Sequence, residues 1–329
     1  MKAIGSISAA IMLVCAAVSP VIAQIKVSTP LVYSGAMDGS AAVAIDSEFF
    51  ANASDEDSVI RVYRRDRGGA PVQEMDLSSF LQVDPRSPET DIEAAARIGN
   101  RAYWITSQGG NKHGMERPSR HRFFATDIST NTNEFPLHPV GEPYTKLLSD
   151  LIADENLKPF NLAGAAARPP KSPGGLSIEG LSATPEKHLL IGFRSPVPKG
   201  RALLVPLLNP EEVIWGKPAH FGAPIQLNLG GLGVRDIAFW QDKFIIIAGP
   251  SDGGRSFKLF RWAGGDSMPS PIRHASFKSL HPEAVLIYPD KGLREFQLLS
   301  DDSTEQRKFG GSVFGTPLQK QFRSVWIVP

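Results

Sequence analysis

Cysteine is almost missing from this chain: one residue, Cys15, in 329. It lies within an N-terminal apolar stretch, so nothing beyond it can form a disulfide, a thiolate metal site or a cysteine nucleophile. Also lacking is any apolar run approaching the ~20 helical residues needed to cross a bilayer. No two histidines stand four apart as in a zinc protease helix, and His113 and His281 read as loop donors. Charge of one sign is not in excess either, with 35 Lys and Arg against 34 Asp and Glu. That balance argues against nucleic acid or a membrane surface bound through bulk charge.

What is present begins with an export pattern. Lys2 precedes the apolar stretch, and Ser19-Pro20 and Val21-Ile-Ala23 supply a small-residue exit. Residues 1–23 therefore read as a cleavable signal peptide, and 24–329 as a single domain that is periplasmic or extracellular. Cys15 follows Val14 inside the apolar run, so it reads as filler and not as a lipid attachment site. Without Lys2 the remaining charges balance at 34 to 34. A cysteine-free exported domain must hold itself by core burial, which about 300 residues can provide.

The remaining chain repeats itself. A polar or acidic residue opens an alternating apolar strand, and a short turn, a second apolar strand and a polar loop follow. The pairs are 40–45 with 48–52, 92–98 with 101–107, 178–183 with 188–194, 235–240 with 243–249, and 282–288 with 293–299. The opening slots fall at Ser40, Glu93, Glu179, Asp236 and Glu283, at intervals of 53, 86, 57 and 47. A third strand follows in each unit, at 59–63, 122–126, 202–205, 257–262 and 322–328. A period near 50 with about four strands is the arithmetic of a β-propeller blade. The all-β reading is five blades, or six if the long interval hides a degenerate one; a β-sandwich with chance repetition is the competing fold. Tyr144, Leu147, Leu148, Leu151 and Ile152 recur at helical spacing, which predicts a helical insertion over 143–157. Residues 27–33 are placed to close the ring as the outer strand of the last blade, burying its free edge.

Propeller geometry sends the slot residues and the loops after the second strands to one face. Glu93, Glu179, Asp236 and Glu283 would then converge on the channel mouth, where their repulsion calls for compensation. Calcium, with its six to eight oxygen ligands, would supply it, aided by Ser40 and Ser177; hydrogen bonds from loop amides, or pairing with Arg97, Arg194 and Arg235, are the alternative. Arg194 and Arg235 sit beside the slots as candidate charge stabilisers. Lys112, His113, Arg120 and Arg255 are candidate ligand-binding residues on the same face, suited to an anionic small molecule such as a phosphoester. Residues 175–180 lack the spacing of a nucleophile elbow, and residues 230–233 lack the lysine and helix of a phosphate loop.

Three paired stretches carry a resemblance: Asp91-Ile-Glu-Ala-Ala95 with Trp104-Ile-Thr-Ser107, Ser177-Ile-Glu-Gly-Leu181 with Leu190-Ile-Gly-Phe-Arg-Ser-Pro196, and Gly233-Val-Arg-Asp-Ile237 with Ala248-Gly-Pro250. Through them the chain resembles a family of bacterial secreted proteins known only as a domain of unknown function. It is similar in style to esterase-like and phytase-like propellers, and to calcium-activated nucleotidases in placing Glu at a five-bladed channel. The resemblance implies a propeller and an exported location, and no activity. The sequence shows no dense Asp cluster of the multi-calcium phosphatase kind. The leading expectation is a monomeric propeller whose mouth binds calcium and an anionic small molecule, with phosphoester hydrolysis as its chemistry. A non-catalytic propeller presenting that face to a protein or glycan is the alternative.

Overall fold

In a computed structural model, residues 25–87, 89–129, 134–254, 256–272, 277, 280–289, 294–303, 312–313, 316–317 and 320–328 are described. Residues 1–23, read from the sequence as a signal peptide, and Arg255 lie outside them. Among the described residues no helix is long and apolar enough to cross a membrane.

The alternating apolar runs pair as antiparallel strands with short turns, each unit forming its own sheet. Blade one orders Ala41–Ala44, Phe49–Ala53, Val59–Arg64 and Gln73–Asp76 from centre to rim. Blade two follows with Ile92–Ile98, Arg101–Thr106, Phe123–Ile128 and Leu137–Tyr144. Blade three is Ser177–Ala183, Leu189–Ser195, Ala202–Leu207 and Ile225–Leu227, and blade four Gly233–Trp240, Lys243–Gly249, Lys258–Trp262 and Ser270–Pro271. Blade five places Pro282–Leu286, Phe296–Ser300 and Gln321–Val328 in order. The first strand of each blade packs on the first strands of both neighbouring blades, and the fifth returns to the first. The ring is closed with five blades.

The sixth blade that the long interval allowed does not exist. That interval holds the outer strand of blade two and the helical insertion. The insertion is not one helix over 143–157. Tyr144 still pairs with Phe123 in the sheet, and α1 spans only Leu147–Ala153. Asp154 then turns extended, and its side chain accepts a hydrogen bond from Asn156 N. Such local side-chain bonding competes with helix continuation. A 3₁₀ turn over Glu155–Phe160 and α2, Leu162–Ala166, complete the insertion.

Closure comes from the N-terminal segment, as the sequence indicates. Lys26–Val27 and Leu31–Ser34 both pair antiparallel with Gln321–Val328. Tyr33 of this latch packs against Phe50, Tyr63 and Phe322 at centroid distances of 5.2–5.3 Å. Burying the latch ties the two ends of the described chain into one sheet. Apolar side chains from facing blades fill each of the five interblade spaces. Leu147, Leu148, Leu151 and Leu162 extend the layer between blades two and three, which fastens the insertion beside the channel.

Candidate functional site at the channel mouth

A strand that alternates its side chains can present every second residue to the channel. Four inner strands add a β-bulge near their start, with irregular register between Ile92 and Ala94, Ile178 and Gly180, Val234 and Asp236, and Pro282 and Ala284. The extra residue at each bulge is left unpaired and re-aimed. Those residues are Glu93, Glu179, Arg235 and Glu283, and all four line one polar cavity of about 670 Å3.

Blade four thus differs from the sequence reading. Its channel residue is Arg235, and Asp236 does not line the cavity. The bulge shifts the register by one, a displacement that an alignment of apolar runs cannot see. Asp236 is buried, and its Oδ2 accepts a 2.7 Å hydrogen bond from Val285 N on the inner strand of blade five. Inner strands have no partner on their channel side, so this carboxyl satisfies an edge amide. Burial holds its pKa well above the usual carboxylate range, against the Val285 amide. Asp236→Leu is expected to cost about 1–3 kcal/mol by leaving that N–H unsatisfied, while Asp236→Asn keeps an acceptor and most of the stability. Urea unfolding of the two variants checks this.

One slot of opposite sign changes the electrostatics. Arg235 Nη1 lies 2.8 Å from Glu179 Oε2, and Arg235 Nη2 pairs with Glu283 Oε1. Arg194 Nη1 meets Glu179 Oε1 at 2.8 Å, and its Nε donates to the Pro250 carbonyl at 3.2 Å. Ser177 Oγ donates to Glu179 Oε1, and Ser40 Oγ to Asp38 Oδ1 at 3.0 Å and more distantly to Glu283 Oε2. Asp38 in turn accepts from Ser54 Oγ and Asp55 N. Burial would raise Glu179, but Arg194 and Arg235 override it and hold the carboxyl below its ordinary value. The repulsion expected among the slots is largely answered from within the ring. Gly233 is required there: a Cβ would stand 1.9 Å from the Arg194 carbonyl oxygen.

Blade two is the gap in this network. Among the described residues Glu93 pairs with no arginine; it gathers with Asp55 from the loop of blade one and with Asp91, ligand oxygens of all three within 4.8 Å of one another. Asp55 Oδ1 is buried without a hydrogen-bond partner among the described residues. Asp91 has Arg120 Nη1 at 3.2 Å, and Arg120 also reaches Glu89. Burial, then the charges of Glu179 and Asp91, push Glu93 well above the usual range. Burial, then Asp38 and Glu93, do the same to Asp55.

The structure therefore does not gather Glu93, Glu179, Asp236 and Glu283 into one oxygen set. Lys112 and Arg120 line the cavity, while His113 is exposed outside it and hydrogen-bonds through its backbone N to Asn111 Oδ1. The cavity also takes in Asp301, His281 and Phe257, and Pro169, Pro170 and Lys171 from the loop that follows α2. Asp38, Asp91, Ser177, Gly233 and His281 each stand two residues before a slot. Reading slots and second neighbours together would have exposed this ring in the sequence.

Fold and mouth together define a five-bladed β-propeller with a charged central cavity. A family model described as a protein of unknown function, DUF3616, matches residues 138–290, which takes in two of the three paired stretches behind the sequence resemblance. No curated protein matches the chain. Among solved structures, glutaminyl cyclase of Myxococcus xanthus is similar at 10% identity, covering 93% of this chain and 97% of its own, with a TM-score of 0.47. The PQQ-bound aldose sugar dehydrogenase of Streptomyces coelicolor is similar at 11% identity, covering 93% and 98%, with a TM-score of 0.46. An exo-β-1,3-galactanase of Phanerochaete chrysosporium follows at 9% identity, covering 89% and 60%, with a TM-score of 0.47.

Proposed function

We propose that the mouth is a small-molecule site organised on a divalent cation, with calcium the best fit, and that the cation draws in an anionic ligand. The gathering of Asp55, Asp91 and Glu93 carries this reading. Among the described residues the cavity is lined by eight carboxylates against five Lys and Arg. Two of those cations, Arg194 and Arg235, are engaged by Glu179. The remaining deficit sits at blade two. All-oxygen donors of mixed loop and strand origin suit calcium, which tolerates irregular geometry.

Arg235 has both terminal nitrogens on carboxylates, so its part is to orient Glu179 and Glu283. Arg194 Nη2 remains for a ligand oxygen, and Lys112 and Lys171 stand at the rim. An anion bridging the cation and Arg194 would have its oxygen polarised, the arrangement that phosphoester hydrolysis requires. Export through residues 1–23 is part of the proposal, since calcium is far more plentiful outside the cytoplasm.

Calcium added to chelator-treated protein is expected to raise the melting temperature by about 5 °C, following the ~2.7 kcal/mol gained at a hundredfold excess over Kd. Asp55→Asn with Glu93→Gln should abolish the rise. No rise in the unmodified protein would overturn the cation site. Calcium-dependent turnover in a phosphoester panel would make the protein a hydrolase, and a rise without turnover would make it a binding module.

A further inference from the structure

We infer that His281 is a ligand-contacting residue of the mouth, whose Nε2 accepts a hydrogen bond and so selects anions carrying a free hydroxyl beside their charged group. This rests on the small-molecule reading of the mouth and names its ligand class. His281 stands two residues before the Glu283 slot and lines the same cavity as Glu93 and Asp55. Its ring makes two contacts and its backbone two hydrogen bonds. Nδ1 is 3.0 Å from the Asp301 carbonyl oxygen, and the ring packs 5.8 Å from Phe257. Its backbone N–H donates to Ser300 Oγ at 2.9 Å, and its carbonyl accepts from Asp301 N at 2.8 Å.

A carbonyl oxygen can only accept. In the neutral ring Nδ1 therefore carries the hydrogen, and Nε2 presents a lone pair. Nε2 has no protein partner among the described residues. The neighbouring carboxylates have nothing to donate when ionised, and Arg235 Nη1 and Nη2 are held by Glu179 and Glu283. Nε2 is left to solvent or to a ligand, and a hydroxyl is the donor that an anionic molecule offers at neutral pH. A rigid acceptor left unfilled weakens a ligand that lacks the hydroxyl, which is a source of selectivity.

Two probes separate the possibilities, glycerol 2-phosphate and methyl phosphate, titrated calorimetrically into calcium-loaded protein. Glycerol 2-phosphate is expected to bind at least about tenfold tighter. His281→Phe should erase that preference and leave the calcium-induced melting shift intact, and His281→Gln, which keeps an acceptor, should restore part of it. Equal binding of the two probes to the unmodified protein, or a preference that survives in His281→Phe, overturns the inference while the site reading stands. Failure of both probes to bind overturns the site reading and this inference with it. Nitrogen-15 NMR of the imidazole gives a check that needs no ligand: the Nδ1–H form is expected, and the Nε2–H form would overturn the assignment.

Discussion

Arg235→Ala is expected to destabilise the protein by about 3–5 kcal/mol, the cost of leaving buried charges without their partner, and to lower the melting temperature by roughly 10 °C. Arg235 is the only one of the four bulged slots that is positive, and it is 7% exposed. Removing it leaves Glu179 with Arg194 and the Ser177 hydroxyl, and Glu283, among the described residues, with a 3.4 Å contact from Ser40. Arg235→Lys keeps the charge but not the planar fork that reaches two carboxylates at once, so an intermediate loss is expected. Arg235→Met combined with Glu283→Gln should recover part of the stability, because one stranded charge is then neutral. Chemical unfolding of the three variants measures this; a loss below about 1 kcal/mol in Arg235→Ala would show that the ring contributes little to holding the blades.

Without calcium, the protein should become more stable as pH falls from 7 to 5. Burial, then the charge of Asp301, pushes Asp38 up to about 6 from an ordinary 3.8; Asp55 and Glu93 are displaced in the same direction. A carboxyl whose folded pKa is raised binds its proton more readily folded than unfolded. Its burden is full above the folded pKa and relieved as pH falls through it toward the unfolded value. For Asp38 the relief is on the order of 3 kcal/mol when complete. Glu179 works in the opposite sense, but its contribution is lost only below its ordinary 4.5, outside this window. Calcium, which binds ionised carboxylates, should reverse the slope. Melting curves at pH 5, 6 and 7, with chelator and with calcium, decide this. A steady fall in stability from pH 7 to 5 in chelator would mean that these carboxylates are ionised and compensated by other groups.

Much of the fold was legible in the sequence because its signals are local. Alternating runs such as 243–249 and 188–194 carry a period of two wherever they fold, and their spacing near 50 counts the blades. The latch at 27–33 could be anticipated because a closed ring needs a strand for its last sheet. The helical insertion near 143–157 is present, and its first helix is shorter than the apolar pattern because local chemistry opposes it at Tyr144 and Asp154. Blade four was misread by one residue because a bulge adds backbone without disturbing the apolar count.

The sequence by itself determined a β-propeller of five or six units with a single cysteine, Cys15, a closing strand at 27–33, and acidic residues at the start of most inner strands. Periodicity and composition suffice for that, since each unit must bury one apolar face against the next. Only the tertiary structure decided what those acidic residues do. Arg235 in the fourth slot binds Glu179 and Glu283 across blades, while Asp55, Asp91 and Glu93, from two blades and up to 38 residues apart, meet in a cluster that Arg120 contacts at Asp91. Charge compensation acts through distance in space, and the ring sets those distances.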